Sequence, residues 1–128
     1  MSKSNDLLAL AETDLKVAKL VLNSSNDELM QNTAAYHTEQ AVEKALKSIL
    51  SAKNIEAGVT HNIQTLCDEL DAAKIYCPEW IKDKAYDISS WATTIRYNTN
   101  FKADHDEILE IINGADELIA QEKQKNNC

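Results

Sequence analysis

Proline and glycine are nearly absent: one proline, Pro78, and two glycines, Gly58 and Gly114, occur in 128 residues. An all-β chain or a glycine-looped α/β chain needs many more turn-forming residues, so both classes are excluded. Cysteine is scarce as well. Cys67, Cys77 and Cys128 are odd in number and lack CxxC spacing, which argues against a disulfide framework and for a reducing, cytoplasmic setting. No apolar stretch approaches the roughly 20 residues of a membrane-spanning helix. The opening "MSKSNDLLAL" is amphipathic without a continuous apolar run, so no signal peptide is expected. Cationic surplus is missing too: 13 Lys and Arg face 21 Asp and Glu, for a net charge of −8. Extended coverage of a nucleic-acid backbone is thereby disfavoured, and any nucleic-acid contact must be local.

What remains is rich in Ala, Leu, Ile, Glu and Lys, the composition of helices. The length suits one domain, with a helical bundle over residues 1–122 and a polar, frayed tail over 123–128. Apolar residues at three- and four-residue steps predict five helices. The first runs from about Asp6 to Leu22, with Leu8, Ala11, Leu15, Ala18 and Leu22 on one face, and "NSSNDE" breaks it. The second runs from about Asp27 to Lys53, where Ala34, Ala41, Ala45 and Ile49 join Ala35, Val42 and Leu46. Thr60 is the expected N-cap of a short third helix carrying Ile63, Leu66, Leu70 and Ala73 inward. Pro78 suits the first turn of a fourth helix with Ile81, Ala85, Ile88, Trp91, Ala92 and Ile95. Asp104 and Glu107 form a capping arrangement for the fifth, whose Ile108, Ile111, Ala115, Leu118 and Ile119 face the core. Short connections favour antiparallel neighbours and an up-and-down bundle. Strict alternation would gather Lys47, Lys53, His61, Arg96, Tyr97 and His105 at one pole.

On the second helix His37, Gln40, Lys44 and Lys47 form a polar stripe, flanked by Glu39 and Glu43. Glu-to-Lys pairs on a solvated face explain such a stripe, and a functional or dimer-facing groove is the alternative. His37, His61 and His105 fall in three separate helices with no HxxxH or HExxH spacing, so no metal site is expected. No cofactor motif is present, and neither Cys67 nor Cys77 has a His placed beside it by sequence, so no nucleophile is assigned.

The order of three segments is more specific than any one of them. "AAYHTEQAVEKALKSILSAKNIE", then "THNIQTLCDEL", then "SSWATTIRYNTNF" resembles the HEPN domain family across almost the whole chain. The firmest stretch is Gln40 to Lys47, followed by Thr60-His61 and Arg96-Tyr97. The resemblance implies a small all-α bundle, commonly dimeric, often serving beside a minimal nucleotidyltransferase. Ribonuclease members of that family carry Arg, four to six residues, then His. Here eight residues separate Arg96 from His105, so the chain is more similar to the non-nuclease "Arg-Tyr" branch.

The expected function is therefore a binding or accessory role without nuclease activity, toward a nucleotide or a nucleotidyltransferase. Lys47, His61, Arg96 and Tyr97 are the expected ligand-binding residues, with His37, Gln40, Lys44 and His105 behind them. In that pocket Arg96 would clamp phosphate through its planar fork, and His61 would join the amides opening the third helix. A metal-independent endoribonuclease toxin using Arg96 and His105 across a dimer seam is the first alternative. A bundle that only binds protein is the second. A homodimer is expected because two tryptophans and an Ala-rich helix offer more apolar surface than one short bundle buries.

Overall fold

The structure is a computed structural model that describes residues 2–24, 27–58, 60, 62–98 and 100–127, with the backbone alone for Ile95, Arg96 and Tyr97. Among the described residues the chain forms five helices and no strands: α1 (Lys3–Ser24), α2 (Glu28–Ala52), α3 (Ile63–Ala72), α4 (Glu79–Tyr97) and α5 (His105–Asn126). No helix among them is long and apolar enough to cross a membrane.

Most of the periodic residues do what their spacing dictates, although Ala73 and Ala92, expected inward, are only half-buried, and the side chain of Ile95 lies outside the described residues. Leu8, Ala11, Leu15, Ala18 and Leu22 of α1 are buried, and so are Ala34, Ala35, Ala41, Val42, Ala45, Leu46 and Ile49 of α2. The alanines on both partners let the α1 and α2 axes approach closely. Burial of each large side chain in this core contributes about 1.5–3 kcal/mol. α2 is the central helix and contacts each of the other four. Trp91 is enclosed, whereas Trp80 is only partly covered and lies against α5 at Gly114. A β-carbon at Gly114 would stand 2.7 Å from the Trp80 ring, so this close approach requires glycine.

Helix direction departs from strict alternation. Ser4 Oγ donates to the Ser48 carbonyl at 3.0 Å, which sets α1 antiparallel to α2. Lys123 to Glu12 at 3.1 Å and Asn126 to Ser4 at 2.9 Å set α5 antiparallel to α1, hence parallel to α2. Lys84 to Glu107 at 3.2 Å and the Trp80–Gly114 contact run α4 antiparallel to α5. Ser89 Oγ accepts from the Ile63 amide at 3.0 Å while Lys82 meets Asp71 at 3.0 Å, so α3 is antiparallel to α4 and points the same way as α2. The physical reason is the ten-residue connection over residues 53–62. Extended, it spans up to about 35 Å. It can therefore carry the chain back past the length of α3.

Three local expectations also change. Asn62, not Thr60, caps α3: its side-chain oxygen accepts from the Thr65 amide, while the Thr60 hydroxyl accepts from the Asn62 amide. Pro78 occupies the cap position of α4, one residue before its first turn, and offers no side-chain acceptor. The expected frayed end is helical through Asn126, because Glu122 is buried, Lys123 pairs with Glu12, and the Asn126 carboxamide donates to Ser4 and Asn5.

Candidate functional site

The expected single pole divides into two ends of the bundle. At one end, buried Asn32 near the start of α2 holds the α4–α5 connection by both halves of its carboxamide. Its Nδ2 donates to the Phe101 carbonyl at 2.6 Å, and its Oδ1 accepts from the Ala103 amide at 2.9 Å. Lys102 crosses to Glu28 at 2.5 Å beside them. The C-terminal end of α4, with the backbone of Arg96 and Tyr97, thus stands beside the N-terminal end of α2. Lys47 lies about 22 Å further along α2, at 1.5 Å per residue, and Lys53 caps its far end. Neither can share a ligand contact with the Asn32 end. His61 lies outside the described residues, as do the side chains of Arg96 and Tyr97.

His105 is the one expected site residue at this end whose side chain is described. It opens α5, is exposed, and its Nδ1 lies 3.4 Å from the Asp106 carboxylate. Asp104, on its other side, accepts from the Glu107 amide at 3.0 Å. The imidazole therefore stands beside a carboxylate, Asp106, that repels a phosphodiester.

Some of the amides invoked for an anion are engaged by the chain itself. Asp27 caps α2 by accepting from Leu29 and Met30, Asn62 caps α3, and Asp104 caps α5. Two of these three caps carry negative charge, so the favourable helix dipole at α2 and α5 is matched by the chain itself.

The polar stripe of α2 is not a solvated face. His37, Gln40, Lys44 and Lys47 are half-buried, and Glu39 and Glu43 are buried outright. Asp14 of α1 joins two of the expected residues, His37 Nδ1 at 3.1 Å and Lys44 Nζ at 2.5 Å. The expected Glu43–Lys47 pair exists at 3.0 Å, but inside this seam. Gln40 Nε2 donates to Glu39 Oε1 at 2.6 Å, whereas Glu39 Oε2 is buried with no hydrogen-bond partner among the described residues. Burial, reinforced by neighbouring Glu43 and partly offset by Gln40, Lys44 and Lys47, raises the Glu39 carboxyl to about 8. Glu39 is thus a neutral acid at pH 7. Its position was readable from spacing, since residues 35, 39, 42 and 46 share one face with Ala35, Val42 and Leu46. Its charge class argued for solvent instead. Among the described residues, no group of three His, Cys, Asp or Glu side chains could hold a metal ion.

Over residues 4–125 the sequence matches the profile of the HEPN domain family. The protein TT1696 from Thermus thermophilus, known from a crystal structure, has the same fold with a TM-score of 0.76 at 23% identity, covering 98% of this chain and 99% of that one. No curated protein matches the sequence.

Proposed function

The chain belongs to the HEPN domain family, and on that premise we propose that it is a non-nuclease accessory module that binds protein: a second copy of itself and a minimal nucleotidyltransferase. The carrying observation is the occupied end of the bundle. There Asp27 and Asp104 cap the helix N-termini that would otherwise attract phosphate, and His105 stands beside the Asp106 carboxylate. A ribonuclease needs a His free to reach a ribose hydroxyl beside a tolerated phosphate, and this local field opposes that arrangement.

Exposed apolar side chains support the protein-binding reading. Leu20, Leu29 and Met30 flank the α1–α2 turn and are 70%, 54% and 42% exposed.

The test combines mass and activity. Light scattering at micromolar concentration is expected to give a dimer, and addition of a purified minimal nucleotidyltransferase is expected to give a heavier complex. Leu29→Asp should weaken both. A monomer that ignores the nucleotidyltransferase would defeat the reading. Cleavage of single-stranded RNA that disappears in Arg96→Ala or His105→Ala would establish the toxin alternative. Millimolar or tighter binding of a nucleoside triphosphate that Arg96→Ala abolishes would instead restore the nucleotide-binding alternative.

A further inference from the structure

Cys67 and Cys77 are ten positions apart in sequence and end with their Sγ atoms 3.4 Å apart, both buried. Cys67 faces inward from the middle of α3. Cys77 lies in the connection that leads into α4, one residue before its cap Pro78. We propose that this pair is an oxidation site, a dithiol that closes to an intramolecular disulfide on exposure to a peroxide and clasps α3 to the entry of α4.

The surroundings suit that chemistry. The α3 helix ends in a tight reversal, with Lys74 in the left-handed region at φ 60 and the Ile75 amide donating to the Leu70 carbonyl at 2.9 Å. This reversal returns the chain alongside the helix it has just left and brings Cys77 back to Cys67. Beyond Ile75 the restraint is light: among the described residues neither the Tyr76 nor the Cys77 amide makes a backbone hydrogen bond. Segments held so lightly open at low free-energy cost, which gives a small oxidant access to otherwise buried sulfur. The Cys77 thiol donates to Cys67 Sγ, and this hydrogen bond holds the Cys67 thiol below its ordinary range while raising that of Cys77. In the proposed reaction Cys67 is the attacking sulfur and Cys77 the resolving one.

The Cys67 thiolate attacks one peroxide oxygen, the O–O bond breaks, and the departing hydroxide takes a proton to leave as water, so Cys67 becomes a sulfenic acid. Cys77 Sγ then attacks the Cys67 sulfur, the S–O bond breaks, and the second oxygen leaves as water with the Cys77 proton. Each sulfur has lost one electron, and one peroxide has become two waters. Tyr76 and Pro78, on either side of Cys77, line a surface cavity with Trp80, so the bond also fixes that wall.

The experiment uses the full chain with Cys128→Ser, so that the pair holds the only thiols, and methionine sulfoxide is read separately in the peptide map. The folded protein is treated with hydrogen peroxide, remaining thiols are alkylated, and intact mass, non-reducing peptide maps and thermal melts are recorded. The expected product has lost two hydrogen atoms, yields a Cys67–Cys77 linked peptide, and melts roughly 5–10 °C higher because a short loop of the unfolded chain is closed. Dithiothreitol should reverse both changes. Adding Cys67→Ser or Cys77→Ser to that background should remove the linked peptide and the melting shift. A product dominated by sulfinic acid without a link, thiols that stay reduced throughout, or a linked protein that melts lower than the reduced one would overturn the proposal.

Discussion

Asn32 and Glu39 stand two turns apart on the same helix, both buried and both polar, and they are treated very differently by the fold. Asn32 has a partner on each side of its carboxamide, the Phe101 carbonyl and the Ala103 amide. Glu39 has Gln40 on one oxygen and, among the described residues, no partner on the other. A buried polar group with all its bonds made acts as a pin, because removing it orphans its partners. One with bonds missing carries a desolvation cost that the rest of the core must offset. The first fixes where the α4–α5 connection sits, and so where the Arg96 backbone lies. The second stores a carboxyl that stays protonated at pH 7.

The largest expected effect is on the pin. Asn32→Leu keeps the branched shape but leaves the Phe101 carbonyl and Ala103 amide unpaired, so denaturant unfolding should show a loss of about 2–4 kcal/mol. A loss below about 0.5 kcal/mol would mean that water replaces the carboxamide, and the contrast with Glu39 would collapse.

Glu39→Gln should act in the opposite direction and depend on pH. In the unfolded chain this carboxyl ionises near 4.5, whereas in the folded chain it holds its proton to about 8. Between those values the folded state binds more protons, so its stability falls as pH rises and levels off above about 8. The Gln variant escapes that fall. Its advantage over wild type should be near zero at pH 4 and grow to about 1–3 kcal/mol by pH 8. An advantage that is the same at pH 4 and pH 8 would show that Glu39 does not titrate in this window.

Positions outside both nodes sharpen the contrast. Gly114→Ala gains up to about 1 kcal/mol of helix propensity but drives a methyl group into the Trp80 ring, so a net loss of about 1 kcal/mol is expected by thermal melt. Trp80→Ala should remove that penalty, making alanine at 114 neutral or favourable in the same assay. His105→Ala should change stability by less than about 0.5 kcal/mol, since its nearest carboxylate partner is exposed and 3.4 Å away. A larger loss in urea unfolding would assign His105 a structural role that its exposure does not suggest.

Periodicity and punctuation determined the five helices, most of their core residues and the Asp104 cap, because local spacing and capping chemistry act over a few residues and are written in the chain. The family's three motifs, in order, were legible for the same reason. The direction of α3 was not, since a ten-residue connection is long enough to turn the next helix either way and only packing chooses. Nor was the separation of Lys47 from the end of α4, which follows from that choice and from Asn32 reaching a chain segment about seventy residues away. Glu39 lay in the apolar register, yet its burial needed four neighbouring helices to form around α2. The Cys67–Cys77 contact required the reversal at Lys74 as well as the spacing. Sequence determines what acts along the chain. Tertiary structure alone decides which distant groups share a low-dielectric interior, where an unpaired polar atom or an adjacent thiol gains its energetic weight.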